Sequence, residues 1–249
     1  MRSLVRAVGQ EALSFRKEPI RTPMTIATHP PLFLPWPGFF AKAFRADALV
    51  VLDEVQFPLG RSWISRNRIK NERGELWLTV PVRKSGRGKQ RICEVEICEG
   101  LPWRKKHLSS LRQAYAHAPY RKEVLLLVEA IYGQTTARLV DLNLALLRLF
   151  WEVWKIPATL LRQSELAVEG KGTELLVDLC EKLHATRYLL FPFAAKFLDL
   201  AQFRSGGIEP VFLPFRPPVY PQLWGEFRYN LSALDLLLNC GAKGRELLA

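Results

Sequence analysis

The chain has 249 residues, 49% of them hydrophobic, and carries 36 Lys and Arg against 24 Asp and Glu for a formal net charge of +12. This composition excludes a disordered chain, and its length suits one large α/β domain or two intimate halves. The positive surplus favours an anionic partner (phosphate, nucleotide, nucleic acid or an acidic membrane face) without choosing among them, and no apolar run reaches the roughly 18–20 residues of a membrane span.

Residues 1–23 carry Arg2, Arg6, Arg16, Lys17 and Arg21 against Glu11 and Glu18 and contain no signal-like apolar stretch. They read as a disordered upstream extension, with Met24 as the natural start and residues 24–249 as a single domain. Residues 25–28 and 48–53 read as short buried parallel strands, joined by a helix from about Pro37 to Ala46 in a βαβ unit. Leu76–Val82 and Ile92–Ile97 flank the basic turn Arg83–Arg91 and read as an antiparallel pair, with Cys93 and Cys98 on opposite faces. A helical insertion then occupies about 103–155; its last helix, 135–154, is apolar on most sides but interrupted by Asp141, Asn143, Arg148 and Glu152. Alternation resumes with strands at Ala158–Leu161, Arg187–Leu190 and Val211–Phe215. Helices are expected at Thr173–His184, Lys196–Phe203 and Asn230–Cys240, with Thr173 as an N-cap and Ser232 with Asp235 as a capping box. The whole predicts an α/β fold with a mostly parallel, Rossmann-like sheet, an inserted antiparallel pair and a helical segment.

Chemistry-bearing residues gather after the first two strands, the edge at which open α/β sheets bind ligands. His29 ends the first strand, and Pro30 and Pro31 force the chain out of the sheet; the imidazole is either an acid toward a phosphate or a hydrogen-bonded structural group. Pro35-Trp36-Pro37-Gly38 leads into a helix whose free N–H groups attract anions, with Trp36 as an aromatic wall or a packed core residue. Asp53, Glu54 and Gln56 follow the second strand, facing a crevice or solvent. The run Ser62–Lys70 interleaves Trp63, Arg66, Asn67 and Arg68 and suits a small anionic ligand or, through stacking, nucleic acid. Glu169–Glu174 lacks the glycine spacing of a P-loop, but Lys171 precedes a helix and can meet an anion. Tyr220, Gln222 and Asn230 lie in a proline-rich segment read as a rigid lid or wall. The four cysteines form no C-x-x-C pair, which makes a reducing cytoplasm the default location. No metal motif is present and the cofactor is unknown, although a nucleotide-containing substrate fits.

The segments His29–Phe40, Asp53–Phe57, Arg66–Lys70, Leu78–Val82, Thr173–Leu176, Tyr220-Pro221-Gln222, Gly225-Glu226-Phe227 and Asn230-Leu231-Ser232, in this order, resemble the WbqC-like family of bacterial proteins over about residues 24–241. Pro30 stands where the family usually has Gln, and Phe191–Lys196 replaces its Gly-rich turn, so Phe193 alters any pocket there. The resemblance implies tailoring of sugars or small molecules in surface-polysaccharide metabolism. A fainter likeness, by fold analogy only, is to nucleotidyltransferases, without the second histidine of their signature. Together these readings lead to an enzyme transferring an acyl, aminoacyl or nucleotidyl group from or to a nucleotide-linked or other anionic substrate. His29, Asp53 and Gln56 would be catalytic, and Trp36, Gly38, Arg66, Asn67, Arg68, Lys171, Tyr220, Gln222 and Asn230 would bind substrate. The alternatives are a nucleic-acid-binding protein and a non-catalytic scaffold; oligomeric state is not legible.

Overall fold

The structure is a computed structural model and describes residues 24–249. The expectation for residues 1–23 lies outside them. In chain order the elements are β1 (Thr25–His29), α1 (Pro37–Phe44), β2 (Ala48–Val51), β3 (Arg66–Asn71), β4 (Gly74–Thr79), α2 (Trp103–Ala114), α3 (Arg121–Tyr132) and α4 (Leu139–Trp154). They continue with β5 (Thr159–Arg162), α5 (Gln163–Leu166), α6 (Gly172–Lys182), β6 (Arg187–Leu190), α7 (Leu200–Ser205), β7 (Glu209–Phe212) and α8 (Ala233–Cys240).

Five strands form one parallel sheet in the order β5-β2-β1-β6-β7, with β1 central. Its register places Ile26 beside Ala48 on one side and beside Tyr188 on the other. Ala-Leu-Val-Val of β2 is buried throughout, as a strand covered on both faces must be. One face is closed by α6 and α7, where Leu175, Leu179 and Phe203 pack on Ile26, Val50 and Leu190. On the other side α1 and α4 share a core of Phe39, Phe40, Phe150 and Trp154, continuous with Ile69 and Leu78 of the β3–β4 hairpin. Fully burying each of these large side chains stabilises the fold by about 1.5–3 kcal/mol.

The chain runs outward from β1 to β2 and β5, then crosses back to β6 and β7. The order therefore reverses between β1 and β6. At such a switch point the connections leave in opposite directions and open a crevice beyond the carboxyl ends of the strands.

Several expectations are corrected. The antiparallel pair is β3 with β4, turned by Gly74 at φ 108°, a conformation that favours glycine. The proposed partner Ile92–Ile97 meets the β4 extension only at the Val82–Ile97 bridge. Its first residues coil into a 3₁₀ turn because the Arg91 N–H donates to the Glu94 carboxylate at 2.8 Å, so Cys93 is not on a strand. Thr173 is not the N-cap of α6; Lys171 holds that position, and the Thr173 hydroxyl accepts the Asp199 N–H at 2.9 Å. Ser232 does cap α8 by accepting the Leu234 N–H at 3.1 Å. Asp235 does not complete the box: its carboxylate accepts the Tyr115 hydroxyl at 2.7 Å and the Tyr220 hydroxyl at 2.9 Å. The helix expected at Lys196–Phe203 is a 3₁₀ segment, Pro192–Phe197, followed by α7 with Asp199 as its cap.

Candidate functional site

A cavity of about 490 Å³ opens at the β1/β6 switch point. His29 lines it from the end of β1, Phe193 from the segment after β6, and Leu32 and Trp36 from the Pro-rich loop. Trp63, Arg68 and Asn230 form the facing wall. The loops are tied from below by Asn143 of α4. Its side-chain amide, fully buried, donates to the carbonyls of Pro31 and Ile64 at 2.7 and 2.8 Å. Asn67 does the same from β3, donating to Leu34 at 2.6 Å. These bonds satisfy carbonyls that no sheet ladder reaches once the prolines have turned the chain out.

His29 is partly buried, edge-on to Phe39 with ring centres 4.9 Å apart. Its Nδ1 lies 3.0 Å from the Pro30 carbonyl. A carbonyl only accepts, so Nδ1 carries the proton and Nε2 of the neutral ring carries a lone pair. Burial, reinforced by the Lys42 ammonium, pushes the imidazole down to about 3. At neutral pH the ring therefore offers Nε2 as an acceptor. The contact uses the backbone carbonyl of residue 30 and not its side chain.

Lys42 was not anticipated. It sits on α1 and is 6% exposed, donates to the Thr28 carbonyl at 3.2 Å and lies 4.8 Å from the centre of the Phe191 ring. It makes no ion pair among the described residues. Burial pushes its ammonium down to about 8. The signal was present in the sequence: one Lys inside Pro-Gly-Phe-Phe-Ala-Lys-Ala-Phe, a helix with no polar face to receive it.

Across the cavity Arg68 donates to both carboxylate oxygens of Glu75, at 3.0 and 2.9 Å, while its buried Nε–H has no partner. Its backbone carbonyl accepts the Ser232 N–H at 2.9 Å, and Pro35 accepts from Ala233 at 2.7 Å. These bonds fix the segment bearing Asn230, whose φ of 54° is left-handed. Trp36 leans on Phe191 and Phe215, with ring centres 5.4 and 5.2 Å away.

Trp36 also covers the first turn of α1. A Cβ on Gly38 would overlap its ring, so the glycine is what lets the indole lie there. The helix start is buried under that ring, which removes it as an open anion site. Gly38→Ala is expected to displace the indole, lowering stability by about 1–3 kcal/mol and reshaping the cavity; urea unfolding and intrinsic tryptophan fluorescence measure both.

Of the residues singled out from sequence, His29, Trp36, Arg68 and Asn230 come together in this cavity, with Gly38 and Asn67 behind its walls. Asp53 does not line it. Its carboxylate is fully buried on the β2 side, where it accepts from Arg162 at 2.9 Å and from the Ser164 N–H and hydroxyl at 3.0 and 2.8 Å. Gln56 is exposed and bridges to Arg91. Lys171 is exposed at the start of α6. Arg66 lies beyond the indole of Trp77, 3.9 Å from its ring centre. Tyr220 is buried on Asp235, and the Gln222 carbonyl oxygen accepts from Lys70 at 3.3 Å and from the Arg228 N–H at 2.9 Å, so both hold the C-terminal segment in place.

Among the described residues no three His, Cys, Asp or Glu side chains form a metal-binding group, and no helix is long and apolar enough to cross a membrane. Fold and cavity together define an α/β protein with a mostly parallel sheet, an inserted antiparallel hairpin and an aromatic-walled crevice at the switch point. The chain belongs to the WbqC-like protein family, which it matches over residues 30–246. It is 33% identical over 218 residues to Rv1507c, an uncharacterized protein of Mycobacterium tuberculosis, the alignment covering 87% of this chain and 94% of that protein.

Proposed function

We propose that the protein is a cytoplasmic transferase that moves an acyl, aminoacyl or nucleotidyl group onto an amine or hydroxyl of a small molecule such as an amino sugar. The observation that carries this reading is the neutral His29, its Nδ1–H held by Pro30, in an aromatic-walled cavity at the sheet's switch point. In this scheme Nε2 accepts the N–H or O–H of the acceptor and takes its proton as the new bond forms to the donor's carbonyl carbon or phosphorus. The donor's leaving group departs with the electron pair of the broken bond. An anionic substrate beside Lys42 would offset the ammonium's field and raise the basicity of His29 as the complex forms. Arg68, held by Glu75 in the cavity lining, brings a guanidinium charge beside a carbonyl or phosphoryl oxygen.

The test is a thermal-shift screen of acyl-coenzyme A, aminoacyl adenylates, nucleoside triphosphates and nucleotide-linked amino sugars. Donor and acceptor hits are then combined and the product is read by mass spectrometry. A mass increase on the acceptor supports the reading. If none of the combinations gives a product while the compounds bind, a binding role takes its place.

A further inference from the structure

The outer face of the β3–β4 hairpin carries a feature that the His29 cavity does not account for. Pairing places Arg66 opposite Thr79 and Arg68 opposite Trp77, so all four side chains share one face. There they form a stack. The Arg66 guanidinium lies 3.9 Å from the centre of the Trp77 ring, Trp77 lies 5.1 Å from Trp63, and Arg68 lies 5.9 Å from Trp63. Both indoles are exposed, Trp63 at 46% and Trp77 at 38%. Large flat rings held side by side and left in solvent suit a planar partner.

Trp63 lines the His29 cavity; Ser62, next to it, lines a second groove of about 490 Å³ together with Arg66, the residue stacked on Trp77. Arg61, Ser62, Ser65, Arg66, Thr79 and Lys84 supply its polar lining, and no carboxylate is among its residues. Lys84 donates to the carbonyls of Gly60 and Leu59 at 2.7 and 3.3 Å, which fixes the rim loop and places the ammonium in the groove. Arg61 and Arg66 make no ion pair or side-chain hydrogen bond among the described residues, so their N–H edges are uncommitted. The basic turn next door differs: Arg83 and Arg87 are held by Glu96 at 3.9 and 3.0 Å. Along this stretch of surface Arg61, Arg66 and Lys84 share one groove without a carboxylate, while the two arginines of the neighbouring turn are held by Glu96.

We infer that the indole pair and this groove form a nucleoside-phosphate subsite, with the base stacked against Trp63 and Trp77 and the phosphate on Arg61, Arg66 and Lys84. The inference rests on the transferase reading, for which it supplies the handle of the donor: the reacting group carried by the nucleoside reaches past Trp63 into the His29 cavity. Arg66 is well suited to the phosphate, since its planar face is taken by Trp77 and its edge presents paired donors.

The test uses the full chain with ADP, UDP, inorganic pyrophosphate and a 12-nucleotide RNA, read by tryptophan quenching and calorimetry. ADP or UDP is expected to bind and quench, and pyrophosphate, lacking the ring, to bind about tenfold more weakly. Arg61→Gln, which removes an exposed side chain with no hydrogen-bond or ion-pair partner, and Arg66→Gln, which also gives up the contact with Trp77, should each weaken the nucleotide by about tenfold or more, the first without shifting the melting temperature. His29→Ala should leave nucleotide Kd unchanged, which separates this subsite from the chemistry assigned to the cavity. Unchanged affinity in Arg66→Gln, or loss of nucleotide binding in His29→Ala, would overturn the subsite and leave the transferase reading standing. So would RNA binding that outcompetes the nucleotide and falls steeply with salt.

Discussion

His29→Ala is expected to lower the transfer rate by about 10²–10⁴-fold, the range associated with a positioned proton acceptor, without unfolding the chain. The sharper readout is pH. With the imidazole pushed down to about 3, kcat/KM of the free protein should show no titration near the ordinary histidine value of 6.5. The acceptor stays available from about pH 5 to 8. The Cε1–H resonance of His29 should be flat over the same interval, and a midpoint near 6.5 would end its assignment as a permanently neutral acceptor. Stability follows with a definite sign. The unfolded chain binds a proton at 6.5 and the folded one only near 3, so the unfolded state gains protons first as pH falls. Stability from this group is whole above 6.5 and is lost progressively toward 3.

Lys42→Met should stabilise the protein while impairing its function. A depression from 10.5 to about 8 corresponds to a cost of about 3 kcal/mol for holding the ammonium in the interior at pH 7. Methionine keeps the length of the side chain and removes the charge. Some of the gain is offset by the lost bond to the Thr28 carbonyl and the lost contact with Phe191, which leaves about 1–3 kcal/mol. For a chain of this size that raises the melting temperature by roughly 5 °C. Between 8 and 10.5 the unfolded state holds the proton that the native lysine has released, so the wild type gains stability with rising pH and its gap to Lys42→Met closes. The same substitution should raise the His29 titration point, since the ammonium helps hold it down. A retained buried charge that lowers stability is the pattern of a functional group. A destabilised Lys42→Met, or a gap independent of pH, would show instead that the lysine is a satisfied structural residue.

The parts of the fold legible in the sequence were those with local physical signatures. The apolar runs of β1, β2 and β6 mark buried parallel strands, the prolines after His29 mark the exit from the sheet, and the 3.6-residue periodicity marks α2 to α4. Long-range choices were not legible. Arg-Asn-Arg-Ile-Lys is not among the strands expected from the sequence, because the cations on its outward face hide the alternation, yet it is a strand whose inward Asn67 and Ile69 are buried and whose other face is completed by Trp77. The segment at Ile92 alternates like a strand but is diverted by the local bonds between Arg91 and Glu94.

The candidate site divides in the same way. The sequence by itself determined that a histidine would stand at a strand exit beside a stiff aromatic loop, because prolines and a strand end dictate it locally. Only the tertiary structure decided which neighbouring strand would share the crevice. The switch falls between β1 and β6, so Phe193, Arg68 and Asn230 meet His29, while Asp53 is drawn into Arg162 and Ser164 on the β2 side. Strand order depends on which surfaces pack across the whole chain, and no local propensity encodes it. The same holds for Lys42, whose unusual charge state arises from being enclosed by elements distant in sequence.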